Sequence, residues 1–308
     1  MNGKSILVTG ADGNLGGRFI RLLADSTDLN VLAVSSFPER IPLMMEREGI
    51  ARREKITVMS SEEMFGSRLS GADFAGAVHF AFSRAIFPNR DIANSLDYSL
   101  SAFSKVADSG IPRAVYISSQ SVYGDTSEWR TEATVPAPGS VYAMAKYAGE
   151  KLFEACYKGR ESLEHTVVRL DIVIQSQKLV RALCKSALTT GRLTLRGGRQ
   201  VFSYLDADDV PRALLALIRT DKPWRPVYNV GPNRMRYNLE QIASFVQKAG
   251  EKRGLAVTVT LDEDDTQLWA GMDSSAFMAD TGFSPAYDIE QMIDRIFAET
   301  EREVAQHG

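Results

Sequence analysis

The run Ser5-Ile-Leu-Val-Thr9 is short and β-rich, ends in Gly10-Ala-Asp-Gly13-Asn-Leu-Gly16-Gly17, and is followed by Arg18 to Asp25 with helical character. Strand, glycine turn and helix in that order mark the start of a βαβ unit. Glycines at 10, 13 and 16 permit a tight turn, a close backbone approach to a pyrophosphate, and close packing of helix on strand. The helix N-terminus adds free N–H groups and the positive end of the helix dipole. The spacing is G-x-x-G-x-x-G, not G-x-G-x-x-G, and the alternative is a glycine turn that holds no ligand. Gly10, Asp12, Gly13, Asn14, Leu15 and Gly16 are the candidate cofactor contacts of this loop.

A second strand, Asn30 to Val34, follows at the distance a βαβ unit requires. An acid at its end would bind the ribose 2′-OH of NAD and repel the 2′-phosphate of NADP. The chain reads Val34-Ser35-Ser36-Phe37-Pro38-Glu39-Arg40. With no acid at 35 or 36, and with Ser35, Ser36 and Arg40 at hand, NADP is favoured over NAD. Further strands are expected at Ile56 to Met59, Ala77 to Phe80 and Ala114 to Ile117, separated by helical stretches that include Asp91 to Asp108. Alternation of this kind predicts a doubly wound parallel sheet of the Rossmann type. His79 lies inside the fourth strand and reads as a core or cofactor-lining residue. Phe80, Ala81 and Phe82, with Arg84 just beyond, fall at that strand's carboxyl end, where open α/β sheets bind ligands.

The fifth strand runs into Ile117-Ser118-Ser119-Gln120-Ser121-Val122-Tyr123-Gly124, again placing hydroxyls at a strand's carboxyl end. Such serines are commonly turn or cap residues. Pro136-Ala-Pro138-Gly139-Ser140 then breaks the chain, with Ser140 a candidate N-cap for a helix from Val141 to Tyr157. Within that helix, Tyr142 and Lys146 are four residues apart and share a face. A tyrosine with its ordinary pKa of roughly 10 transfers protons poorly near neutrality. A neighbouring cation would favour the phenolate and make the residue usable as an acid or base.

Composition removes several classes. At 308 residues with a net charge of −3, the chain has no electrostatic reason to bind nucleic acid or a membrane surface. No apolar stretch approaches the length of a spanning helix, and the N-terminus enters the first strand without an export leader. The two cysteines, Cys156 and Cys184, lack metal-like or redox-like spacing, so a cytoplasmic setting is expected. Histidine occurs only at 79, 165 and 307, and no metal site is expected.

Taken together, Thr9-Gly10-x-x-Gly13-x-x-Gly16, Ser118-Ser-x-x-Val-Tyr-Gly124 and Tyr142-x-x-x-Lys146 resemble the extended short-chain dehydrogenase/reductases, the NAD-dependent epimerase/dehydratase family. Val168-Arg-Leu170, Tyr204 to Ala213, Tyr228-Asn-Val-Gly231 and Asp280-Thr-Gly-Phe-Ser-Pro285 extend the resemblance over nearly the whole chain. It implies Ser119, Tyr142 and Lys146 as catalytic residues, with Tyr142 moving the proton, Ser119 polarising the oxygen, and Lys146 binding the nicotinamide ribose while lowering the tyrosine pKa. Ile117, Ser118, Tyr142 and Lys146 join the cofactor contacts. The implied reaction is hydride transfer at a hydroxyl or keto carbon of a sugar-like or nucleotide-sugar substrate, and the implied assembly is a homodimer through the helices after the fourth and fifth strands.

Departures narrow the choice. Gln120 and Ser121 stand where 4,6-dehydratases of this family carry Asp and Glu, which disfavours dehydration. The run Arg169-Leu-Asp-Ile-Val-Ile-Gln-Ser-Gln177 passes quickly into a helix, a short loop for a nucleotide sugar, and Asp97 replaces a family asparagine. Ketone reductase and epimerase are both open, as is a non-catalytic dinucleotide-binding regulator. Residues 1–170 are expected to form the dinucleotide-binding domain, with later segments returning to it. Residues 171–308 would mainly form a smaller mixed α/β lobe for substrate. In that lobe, helices are expected at Lys178 to Thr190, Asp208 to Thr220, Asn238 to Gly254 and Ile289 to Val304. Strands are expected at Leu193 to Leu195, Val201 to Leu205, Val227 to Val230 and Ala256 to Leu261. Arg84, Gln120, Ser121 and Arg199 are the candidate substrate contacts.

Overall fold

A computed structural model describes residues 3–262 and 267–307, apart from the side chain of His307. In its first half, strands β1 (Ser5–Thr9), β2 (Asn30–Ser35), β3 (Ile56–Ser60), β4 (Phe74–His79), β5 (Arg113–Ser119) and β6 (Glu164–Leu170) alternate with helices. These are α1 (Asn14–Ser26), α2 (Ile41–Arg47), α3 (Ser61–Gly66), α4 (Asn89–Asp108) and α5 (Val141–Tyr157). The second half carries β7 (Ile172–Val173), α6 (Lys178–Thr190), β8 (Arg192–Arg196), β9 (Val201–Phe202), β10 (Tyr204–Leu205), α7 (Asp209–Arg219) and β11 (Val227–Val230). It continues with β12 (Tyr237–Asn238), α8 (Leu239–Glu251), β13 (Thr258–Asp262), α9 (Ser275–Thr281) and α10 (Ile289–His307).

The main sheet is parallel in the order β11-β6-β5-β4-β1-β2-β3, the doubly wound arrangement expected from the alternation. Its inner strands are apolar on both faces: β4 is buried along its whole length, as strands covered by helices on both sides must be. The chain proceeds outward from β1 to β3 and then returns to β4 on β1's other side. The reversal opens a crevice between the loops after β1 and β4, where sheets of this kind receive ligands. One core, with Ile6, Val8, Phe19, Val31 and Val115, draws in Leu205, Leu214, Val230 and Phe277 from the second half. A separate core gathers Val180, Leu193, Leu195, Ile242, Val246, Ile293 and Phe297.

The run Val201 to Leu205, expected as one strand, is broken at Ser203. β9 pairs antiparallel with β12, whereas β10 pairs parallel with β7. The break lets the Ser203 hydroxyl donate to buried Asp171 at 2.6 Å. Among the described residues, no helix is long and apolar enough to cross a membrane.

Candidate active site

The glycine loop is built for close approach. Gly10 has φ +68°, and a Cβ there would stand 2.7 Å from the Ala81 nitrogen in the segment after β4; one at Gly16 would stand 2.3 Å from the Gly10 carbonyl oxygen. Gly13 donates its N–H to Gly10 at 3.1 Å. It also caps α1, and neither a side-chain cap nor an acid in the first turn competes for the helix N–H groups. An uncapped helix start behind a glycine cradle fits a pyrophosphate.

At the end of β2 the arrangement differs from the expectation. Ser35 is buried, and its hydroxyl donates to Asp12 Oδ1 at 2.7 Å while accepting the Phe37 N–H at 2.9 Å. Exposed Ser36 meets Ser61 at 3.1 Å, and exposed Arg40 lies 4.0 Å over the Phe37 ring. Positions 35 and 36 carry no acid, yet an acid from the glycine loop reaches this strand end. Ser35 turns toward the glycine loop, and Asp12 supplies a carboxylate there from elsewhere in the sequence.

Tyr142 lies in the first turn of α5, whose N-cap Ser140 accepts the Ala143 N–H at 3.2 Å. The Ser119 hydroxyl, at the end of β5, accepts the Ser121 N–H at 3.2 Å and the Ser121 hydroxyl at 3.0 Å. Burial pushes the Tyr142 phenol up to about 12, and the Ser119 hydroxyl and the Arg84 charge nearby oppose that rise. Phe82 packs edge-on against the tyrosine ring with centroids 6.1 Å apart. Lys146 is buried, donates to the Ile117 carbonyl at 2.8 Å, and places its ammonium 4.0 Å over the Phe82 ring. Burial brings its pKa down to about 7, with Glu150 opposing.

Burial shifts Tyr142 and Lys146 in opposite directions, because leaving water disfavours each charged form, and the Arg84 charge eases ionisation of Tyr142. The Arg84 guanidinium also donates to the Ser176 carbonyl at 3.1 Å, bridging the loop after β4 to the turn after β7.

Ser119, Ser121, Tyr142, Lys146, Phe82, Ile117 and Arg84 are thus brought together. Gln120 follows in the same turn, with its Oε1 buried and unpartnered. The Ser118 hydroxyl points elsewhere, to Glu150 at 2.5 Å. Arg199 is exposed and bonded to none of the site residues, and Asp97 is on the outer face of α4. Phe80 packs its ring against Phe19, with centroids 5.8 Å apart. His79 is held between Thr9, 2.8 Å from Nδ1, and Ser99, 2.9 Å from Nε2; burial drives its pKa to about 3, so it is a neutral core residue.

One buried charged group beside the site escaped the sequence reading. Buried Glu150 accepts from Ser118 and from both Nε and Nη2 of Arg169. The signal was present, because Tyr142, Lys146 and Glu150 recur every four residues along one helix face.

The sequence model of the NAD dependent epimerase/dehydratase family matches residues 6–231. The chain belongs to that family. It is an NAD(P)-dependent enzyme of the short-chain dehydrogenase/reductase type. Among curated proteins, no sequence matches it. Solved structures share the family fold. UDP-glucuronic acid 4-epimerase from Bacillus cereus, in complex with NAD, superposes with a TM-score of 0.80 at 20% identity, covering 97% of this chain and 99% of that one. MoeE5 in complex with UDP-glucose and NAD gives 0.78 at 20% identity, with coverage of 97% and 99%. The NDP-hexosamine 5,6-dehydratase TunA gives 0.76 at 22% identity, with coverage of 97% and 98%.

Proposed function

We propose that the chain is an NAD-dependent epimerase acting on a hydroxyl-bearing carbon of a sugar or nucleotide sugar. The supporting observation is the placing of the Ser119 hydroxyl beside the Tyr142 phenol, with Lys146 buried behind them against β5. Family membership and the sugar-nucleotide enzymes that share the fold support the substrate class. When bound, the dinucleotide supplies the hydride acceptor and donor and, in its oxidised form, a positive charge that favours the phenolate. Gly10, Gly13 and Gly16 with the α1 N-terminus would hold the pyrophosphate, and Lys146 would hold the nicotinamide ribose. Tyr142 takes the substrate hydroxyl proton as the carbon loses hydride, and returns it when hydride comes back. Ser119 donates to the substrate oxygen. A dimer would cover the exposed side chains of Leu100 on α4 and of Val141 and Met144 on α5, and light scattering of the purified protein measures it.

The test incubates the protein with NAD and a panel of UDP-hexoses, UDP-hexuronates and free uronates, and follows isomer interconversion by NMR. Parallel reactions follow NADH against a ketone panel. Redox-neutral interconversion is expected. Stoichiometric NADH consumption would assign a ketone reductase instead, and dinucleotide binding without turnover on any substrate would assign a regulator.

A further inference from the structure

The carboxylate of Asp12 stands at the end of β2, the place from which a dinucleotide fold reads the ribose of the adenosine half. We infer that Asp12, aimed by Ser35, is the residue that selects NAD over NADP. The inference rests on the dinucleotide-binding function proposed for the glycine loop.

Three observations carry it. Ser35 occupies the strand-end position where an acid would normally project, yet its hydroxyl is turned inward and donates to Asp12 Oδ1 at 2.7 Å. Asp12 is half-buried, and among the described residues its other oxygen has no partner and no ion pair neutralises it. The nearby cations are committed elsewhere: Arg18 bonds Asp208 at 2.5 Å, and Arg40 lies exposed over the Phe37 ring. An acceptor with a free lone pair suits a ribose 2′-OH, whereas a 2′-phosphate would bring about two negative charges against an uncompensated one.

Ser35 has a second task. An acid directly before the N-cap of α1 would ordinarily be drawn to the free N–H groups of the first turn, where a pyrophosphate must sit. The Ser35 bond holds the Asp12 side chain away from that seat, and α1 indeed has no side-chain cap. One serine therefore keeps the phosphate seat open and directs the charge at the ribose.

Dissociation constants for NAD, NADH, NADP and NADPH, measured by titration calorimetry on the full chain and on Asp12→Asn and Ser35→Ala, test the inference. The wild-type protein is expected to bind NAD at least about tenfold tighter than NADP. Asp12→Asn is expected to erase most of that ratio, chiefly by improving NADP binding. Ser35→Ala is expected to weaken both dinucleotides, as the freed carboxylate moves into the phosphate seat. Tighter NADP binding by the wild type overturns the inference, even if a variant fails to fold, as does a ratio unchanged in a folded Asp12→Asn. Failure of the wild type to bind any of the four would instead overturn the cofactor reading itself.

Discussion

Glu150 takes two guanidinium bonds from Arg169, 3.0 Å from Nε and 2.6 Å from Nη2, inside the core and one helical turn beyond Lys146. Arg169 also lies 4.6 Å from the centre of the Tyr123 ring, and its Nη1 has no partner. Removing one charge from such a pair leaves the other buried and uncompensated. Glu150→Gln should therefore cost about 3 kcal/mol in urea denaturation. Replacing both residues with methionine should recover much of that loss, because the pair's desolvation cost disappears with it.

Tyr142→Phe removes the proton carrier while keeping the ring that packs on Phe82. Turnover is expected to fall by about 10²–10⁴, with dinucleotide affinity changed by less than about threefold. Single-turnover kinetics beside calorimetry separate the two effects. Unchanged turnover would remove Tyr142 from the mechanism.

A methyl group at Gly16 would meet the Gly10 carbonyl at 2.3 Å, a backbone atom that cannot step aside cheaply. Gly16→Ala is expected to lower stability by about 1–3 kcal/mol and to abolish measurable dinucleotide binding by distorting the loop. Thermal unfolding with and without NAD reads both, since binding raises the melting temperature only where the site survives.

Burial pushes Asp171 up to about 6 from an ordinary 3.8, against the bonds it accepts from Ser203 and from the Ile172 N–H. The folded protein then holds more protons than the unfolded chain between those two values. Stability is lost as pH rises through that window and is level above it. Asp171→Asn cannot ionise, so it should be the more stable form at pH 7 by of order 1–3 kcal/mol. The difference should shrink toward zero below about pH 4. Urea denaturation of both proteins across pH 4 to 7 measures it, and a difference that does not change with pH would mean that Asp171 keeps an ordinary carboxylate pKa.

The elements legible in the sequence are those whose pattern is local. Val141 to Tyr157 and Lys178 to Thr190 are found with their expected limits, because Ser140 caps the first and left-handed Gly191 ends the second. Short α2, α3 and α9 offered too few turns for a period to show. Ser203 could not be read as a break, since the reason for it is Asp171, distant in sequence. The same distinction runs through the site. The glycine loop and the Tyr142–Lys146 spacing are sequence-local patterns, but the burial that shifts both groups comes from the fold around them. The role of Ser35 depends on a loop 23 residues away.

β11 comes after α7, yet it hydrogen-bonds to β6 and finishes the main sheet. A chain ended at residue 170 would leave β6 as a bare outer strand, with Val167, Val168 and Leu170 uncovered and its backbone groups open to pairing with another molecule. It would also lose α7, which packs on α1, the helix that opens the dinucleotide seat. Such a fragment should aggregate during refolding, and the intact chain should melt in one cooperative transition because neither half completes its own sheet.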